Sequence, residues 1–190
     1  MTTTRITGIL FIISAVTPLL FYLGLGPEGA DIIDITMTEK LVTWIMLGLP
    51  IAFMMTLGTM KGGQGYEIAK AGFLIMLISL AVGIVADSFN AVGTAEMDAN
   101  GDAVGTFGWS SMMIGLTLTG IGYFLHKSFP QWVSGLLVIV GVYGFIFLGF
   151  LGSNDDIPEG AELPMWLGFT GVLLLLGIFT LIGKKSEYFL

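Results

Sequence analysis

The sequence predicts an all-α integral membrane bundle of six transmembrane helices, with the N and C termini both cytoplasmic. Three observations carry that prediction. Apolar residues make up 55% of the 190 and charged residues only 11%, against roughly a quarter charged in soluble domains. A particle of this size leaves too much of its chain at the boundary to hide such an apolar share from water. Six stretches run long without a charge, and the segments between them alternate between basic and acidic character.

The stretches are Ile6–Leu25, Leu41–Met60, Ala71–Ala86, Gly108–Leu125, Trp132–Gly152 and Met165–Gly183, and none contains Asp, Glu, Lys, Arg or His. A helix needs about 20 mostly apolar residues to cross a hydrocarbon core of roughly 30 Å. Apolar residues surround each stretch instead of marking one stripe, and the alternation of a barrel strand is absent, so paired backbone in lipid means helices. Together they make one six-helix domain over residues 1–190. The first stretch reads as a retained helix: Met1–Arg5 is a meagre basic region, and no A-x-A site precedes Glu28. The third is short, with 16 residues between Lys70 and Asp87, which covers about 24 Å as a helix. Either Asp87 marks the edge of the hydrocarbon, or the helix continues through Phe89 with Asp87 facing protein.

Charge gives the orientation. Arg5, Lys61, Lys70, Lys127, Lys184 and Lys185 fall on one side of the alternating crossings and only Lys40 on the other. Basic residues near span ends stay cytoplasmic. Twelve acids share the opposite side: Glu28, Asp31, Asp34, Glu39, Asp87, Glu96, Asp98, Asp102, Asp155, Asp156, Glu159 and Glu162. A multi-pass protein of the cell membrane with acidic extracytoplasmic loops is expected. Trp44, Trp109, Trp166 and Tyr22 near outer ends, and Trp132, Tyr66, Tyr123 and Tyr188 near inner ones, mark the same boundaries.

Several local features refine the spans. Thr36 and Glu39 have capping-box spacing, so the second helix starts about a turn before the membrane. Pro164 suits a first helical turn. Gly93, Gly101 and Gly105 suggest an irregular second outer loop, and Gly62-Gly63-Gln64-Gly65 a flexible turn without the Lys-Ser/Thr ending of a phosphate loop. Pro18 and Pro50 interrupt helix interiors and are expected to make static kinks. Short correspondences between the first and last three spans would imply an inverted repeat. Gly, Phe and Leu are frequent enough here to produce such matches by chance, and an unrepeated bundle is the expectation.

Chemistry is scarce. With no Cys and one His, thiolate sites, cysteine nucleophiles and the usual haem ligands are missing, and no cofactor is expected. His126, beside Lys127, reads as a solvated surface residue. Asp98, Asn100 and Asp102 resemble the opening of a calcium loop, but Ala103 stands where Gly belongs and Trp109 where a bidentate Glu would close it; an ordinary polar turn is expected. Apart from Asp87, no span carries an ionisable group, the usual mark of an intramembrane relay. The protein is therefore not expected to be an enzyme or to bind nucleic acid.

Two functions remain. The first is a non-catalytic membrane subunit or scaffold, surrounded by lipid and assembling with itself or other integral subunits through small-residue helix faces. Such faces include Ser111, Gly115 and Thr119, or Ser79 and Gly83, or Gly48 and Ala52, with Gly141, Gly144, Gly149 and Gly152 thinning the fifth span. The second is a channel or passive transporter for a small neutral solute or cation, entered from the acidic side. Its candidate path positions are Ser14, Thr17, Ser79, Asp87, Thr117, Thr119 and Tyr143. Tyr143, near the middle of its span, is expected to satisfy its hydroxyl within the protein.

Overall fold

The computed structural model describes residues 2–151 and 163–183. The expectations for Gly152, Asp155, Asp156, Glu159, Glu162, Lys184, Lys185 and Tyr188 lie outside the described residues. Among the described residues the regular structure is helical: α1 (Thr3–Pro18), α2 (Ile35–Met46), α3 (Gly48–Met60), α4 (Tyr66–Asn90), α5 (Ala95–His126), α6 (Gln131–Ile146) and α7 (Leu163–Ile182). Two of them run on as π-helical turns, α1 through Leu19–Leu25 and α6 through Phe147–Leu151. Five segments, namely Thr3–Leu25, Ile35–Met60, Tyr66–Asn90, Gln131–Leu151 and Leu163–Ile182, are long and apolar enough to cross a membrane. This is an all-α bundle that fits a bilayer. The remaining helix, α5, is 32 residues long. Its Gly, Ser and Thr content and its acidic first turns dilute its apolar character.

Each helix packs on its neighbours in sequence, and α7 closes back on α1, so the bundle is a ring. Pro18 and Pro50 lack the N–H groups that would bond the carbonyls of Ser14 and Met46. The chain responds with the wide turn from Leu19 and with a break at Leu47, which separates α2 from α3. One half of the ring's interior is filled by a run of rings. Phe11 meets Phe53 edge-on at 5.0 Å, Phe53 stacks on Tyr123 at 6.2 Å, and Tyr123 lies 5.1 Å from Phe129.

The third span follows the longer of its two readings: α4 covers 25 residues and runs through Phe89, with Asp87 turned towards protein. Two sequence expectations change. The second outer loop is largely not irregular. The segment with Asp98, Asn100 and Asp102 is the start of α5, neither calcium loop nor turn, and Gly101 and Gly105 are buried against α4. The reason is a seven-residue glycine period: Gly101, Gly108, Gly115 and Gly122 make one stripe against Asn90, Gly83, Gly72 and Ala69 of the antiparallel helix. Such a period keeps two helices in contact along their length. Gly115 and Thr119 belong to that face, while Ser111 is only partly buried. The second change is the cap of α2, made by Asp34, whose carboxylate accepts from the Met37 N–H at 2.7 Å. Thr36 instead donates to the Ala91 carbonyl, and Glu39 turns into the bundle. Helix 2 nevertheless starts at Ile35, ahead of its apolar run.

Candidate functional site

The packed rings leave the opposite half of the interior incompletely filled. There a cavity of about 350 Å³ lies between the π-helical turn after α1, α2, α4, α5 and α7. The size falls in the range of small-ligand pockets, roughly 300–1,000 Å³. Both helix interruptions border it. Pro18 and Leu19 are part of its wall, and so is Met46, the last residue before the break. Interrupted helices beside a ligand site recur in membrane transporters, although this cavity lies towards the acidic end of the bundle.

Polar and apolar groups divide the wall. Glu28, Glu39 and Asp87 bring carboxylates, with Tyr22, Thr43 and Asn90 beside them. The wide turn from Leu19 carries Tyr22 to α2, where its hydroxyl donates to Glu39 Oε2 at 2.7 Å. One turn along α2, the Thr43 hydroxyl donates to Asp87 Oδ2 on α4 at 2.9 Å. Glu39 is 5% exposed, so its carboxylate belongs to the interior and not to the surface. Such burial is costly without compensating hydrogen bonds, and these two hydroxyls supply part of them. The rest of the described wall is mostly apolar, with the rings of Trp109, Trp166 and Phe169, and no Lys, Arg or His stands among the described lining residues. Lys40, next in sequence to Glu39, is exposed.

Of the positions expected along a polar path, only Asp87 reaches this cavity. Thr17, Thr117 and Thr119 donate within their own helices to the carbonyls of Ile13, Met113 and Gly115. Ser14 is buried with no hydrogen-bond partner among the described residues, and Ser79 is buried on α4. Tyr143 turns outward, 43% exposed and stacked on Phe147. These groups sit in separate interfaces, and the aromatic run through Phe53 and Tyr123 occupies the space a continuous path would need. His126 meets Ser128 at 2.8 Å near the glycine turn at Gly63. Sequence reasoning gave Glu39 a capping role and Tyr22 a boundary role. The available signal was position: both lie at the ends of consecutive apolar runs that must be adjacent in an antiparallel pair.

No protein-family model matches the chain, and no solved structure matches it. Over 73 residues, 37% of the chain, it is 36% identical to the tetracycline resistance protein, class B, of Escherichia coli. The chain covers 18% of that protein's length. The match is thus a local similarity.

Proposed function

We propose that this chain is a transporter-type membrane protein of six crossings, including α5, with both termini cytoplasmic, and that it takes a small solute into the cavity between α1, α2, α4, α5 and α7. The observation that carries the reading is the placement of that cavity. It lies beside two interrupted helices, has the buried carboxyl group of Glu39 and the half-buried one of Asp87 in its wall, and is backed by a plug of packed rings. In this reading the acidic end is extracytoplasmic and the plug closes the cytoplasmic side. Local similarity to a protein named for resistance to tetracycline, a small organic molecule, supports it. The role is non-enzymatic.

The chain has no Cys, which makes a ligand-independent test direct. Met112, 1% exposed and in the cavity wall, is replaced by Cys and probed in sealed vesicles with a small membrane-impermeant methanethiosulfonate. A transporter exposes this position alternately, so modification occurs from either face. Reaction from neither face or from one face alone overturns the reading.

The scaffold reading is the second one. Much of the small-residue surface that motivates it is used inside the chain: α4 against α5, Gly141 and Gly144 of α6 against α5, and Gly8 of α1 against Gly177 of α7. What favours it still is that Gly58, Gly135 and Gly171 have open space above them, where a second integral subunit or another copy could approach closely. A solubilised particle of monomeric mass with no cross-linked neighbour counts against it.

A further inference from the structure

We propose that the cavity ligand is a hydrophobic organic cation, a quaternary or protonated amine with an apolar body; this rests on the reading of the cavity as a solute site. Glu39 and Asp87 border one cavity, and among the described residues each is held by a neutral hydroxyl and not by a cationic side chain. Among the described residues the ion pair formed is Lys70–Glu67, at the opposite end of α4 from this site. Among the described residues no cationic side chain answers these two carboxyl groups, and a bare carboxylate is costly to keep in such a place. A cation is the guest that pairs with them; an anion gains nothing from them, and a neutral guest leaves them without a partner.

The apolar wall decides between kinds of cation. A calcium ion takes six to eight oxygen ligands and magnesium a near-ideal octahedron. The described residues contain no group of three acidic or imidazole side chains close enough to hold a metal ion. Trp109, Trp166 and Phe169 instead offer ring surface, which attracts an alkylammonium through the negative face of the ring and packs against a ligand's apolar part. A charged head near Glu39 and Asp87 with an apolar body against these rings uses both halves of the wall. The modest volume limits the guest to a compact molecule.

The test compares two molecules of nearly the same shape, benzyltrimethylammonium and its uncharged carbon isostere neopentylbenzene, with the detergent-purified full chain. Binding is read by tryptophan fluorescence and by the shift in melting temperature. The cation is expected to bind at least tenfold more tightly than the isostere, and Asp87→Asn and Glu39→Gln each to weaken it several-fold without weakening the isostere. Calcium chloride at equal charge is expected not to compete. Equal binding of cation and isostere by the unaltered protein overturns the inference whether or not the variants fold, and so does full competition by calcium. Cation binding without two-sided access at Met112→Cys removes transport and leaves this ligand class standing. Two-sided access with no preference for the cation does the reverse.

Discussion

Replacing Gly72 by Ala is the sharpest test of how the bundle is built. A Cβ there would lie 2.5 Å from the Gly115 carbonyl oxygen and 2.6 Å from the Thr119 backbone nitrogen, whereas ordinary contact begins at 3.4 Å. Both obstacles are backbone of the facing helix, so neither can rotate away, and α4 and α5 must part locally by about 0.9 Å. A gap of that order forfeits a quarter to a half of the dispersion energy of the contacts it opens. Overpacking of this kind costs about 1–3 kcal/mol, and rigid backbone on both sides argues for the upper end. The higher helix propensity of Ala returns about 1 kcal/mol, leaving a net loss of about 2 kcal/mol. At roughly 2–4 °C per kcal/mol for a chain of this size, the melting temperature in detergent should fall by about 4–8 °C. Gly135→Ala, with nothing within 4 Å of the added carbon, is the control and should melt unchanged or slightly higher. Adding Gly115→Ala to Gly72→Ala should cost less than the sum of the two, because the first substitution has already opened the interface. If Gly72→Ala melts at or above the Gly135→Ala protein, the close approach of α4 and α5 is wrong.

Other perturbations probe the site and the topology. Tyr22→Phe removes the hydroxyl that donates to buried Glu39; leaving a buried acceptor without its partner costs about 1–3 kcal/mol. Its melting temperature should therefore fall, and much less so in a Glu39→Gln background, where equal losses would show that the pair is not coupled. Single cysteines at Arg5, Lys61 and Lys127 should resist an impermeant maleimide on intact cells, while cysteines at Asp31 and Asp102 react; the opposite pattern reverses the orientation. Millimolar calcium should leave the melting temperature unchanged, since Asp98, Asn100 and Asp102 lie on a helix and not in a chelating loop; a chelator-reversible rise would contradict that.

What the sequence disclosed depended on scale. Apolar runs of about 20 residues are a bilayer-length signal, and the helices sit where those runs do. The start of α2 ahead of Leu41 and the interruptions near Pro18 and Pro50 were legible for the same reason, because each is a local rule. The extent of α5 was not. Glycines within a polar stretch read as turn punctuation one at a time, and Gly101 and Gly105 acquire their meaning only with Gly108, Gly115 and Gly122 seven residues apart against a partner helix. The carboxylates of the cavity were hidden in a different way. Glu39 and Asp87 stand at the ends of apolar runs, where an acid ordinarily faces water. Only the lateral packing of α2 on α4 and on the turn after α1 turns them inward. Tyr143 shows the converse: its mid-span position suggested an interior role, but rotation about α6 places it on the surface.

The cavity and the bend after α1 are best understood as one feature. Proline in a helix interior costs about 3 kcal/mol or more through its missing hydrogen bond and its clash with the preceding turn, so a bundle optimised for packing alone would not keep Pro18 there. The wide turn that follows swings Tyr22 out to meet Glu39, and Pro18 and Leu19 then form wall where a straight α-helix would continue as filled core. Pro18→Ala restores a donor for the Ser14 carbonyl and lets α1 continue regularly. The substituted protein should melt higher, react more slowly at Met112→Cys, and bind benzyltrimethylammonium more weakly. A rise in stability with reactivity and binding unchanged would mean that the cavity owes nothing to the bend. A fall in stability would mean that the ring of helices is packed around the bend and depends on it.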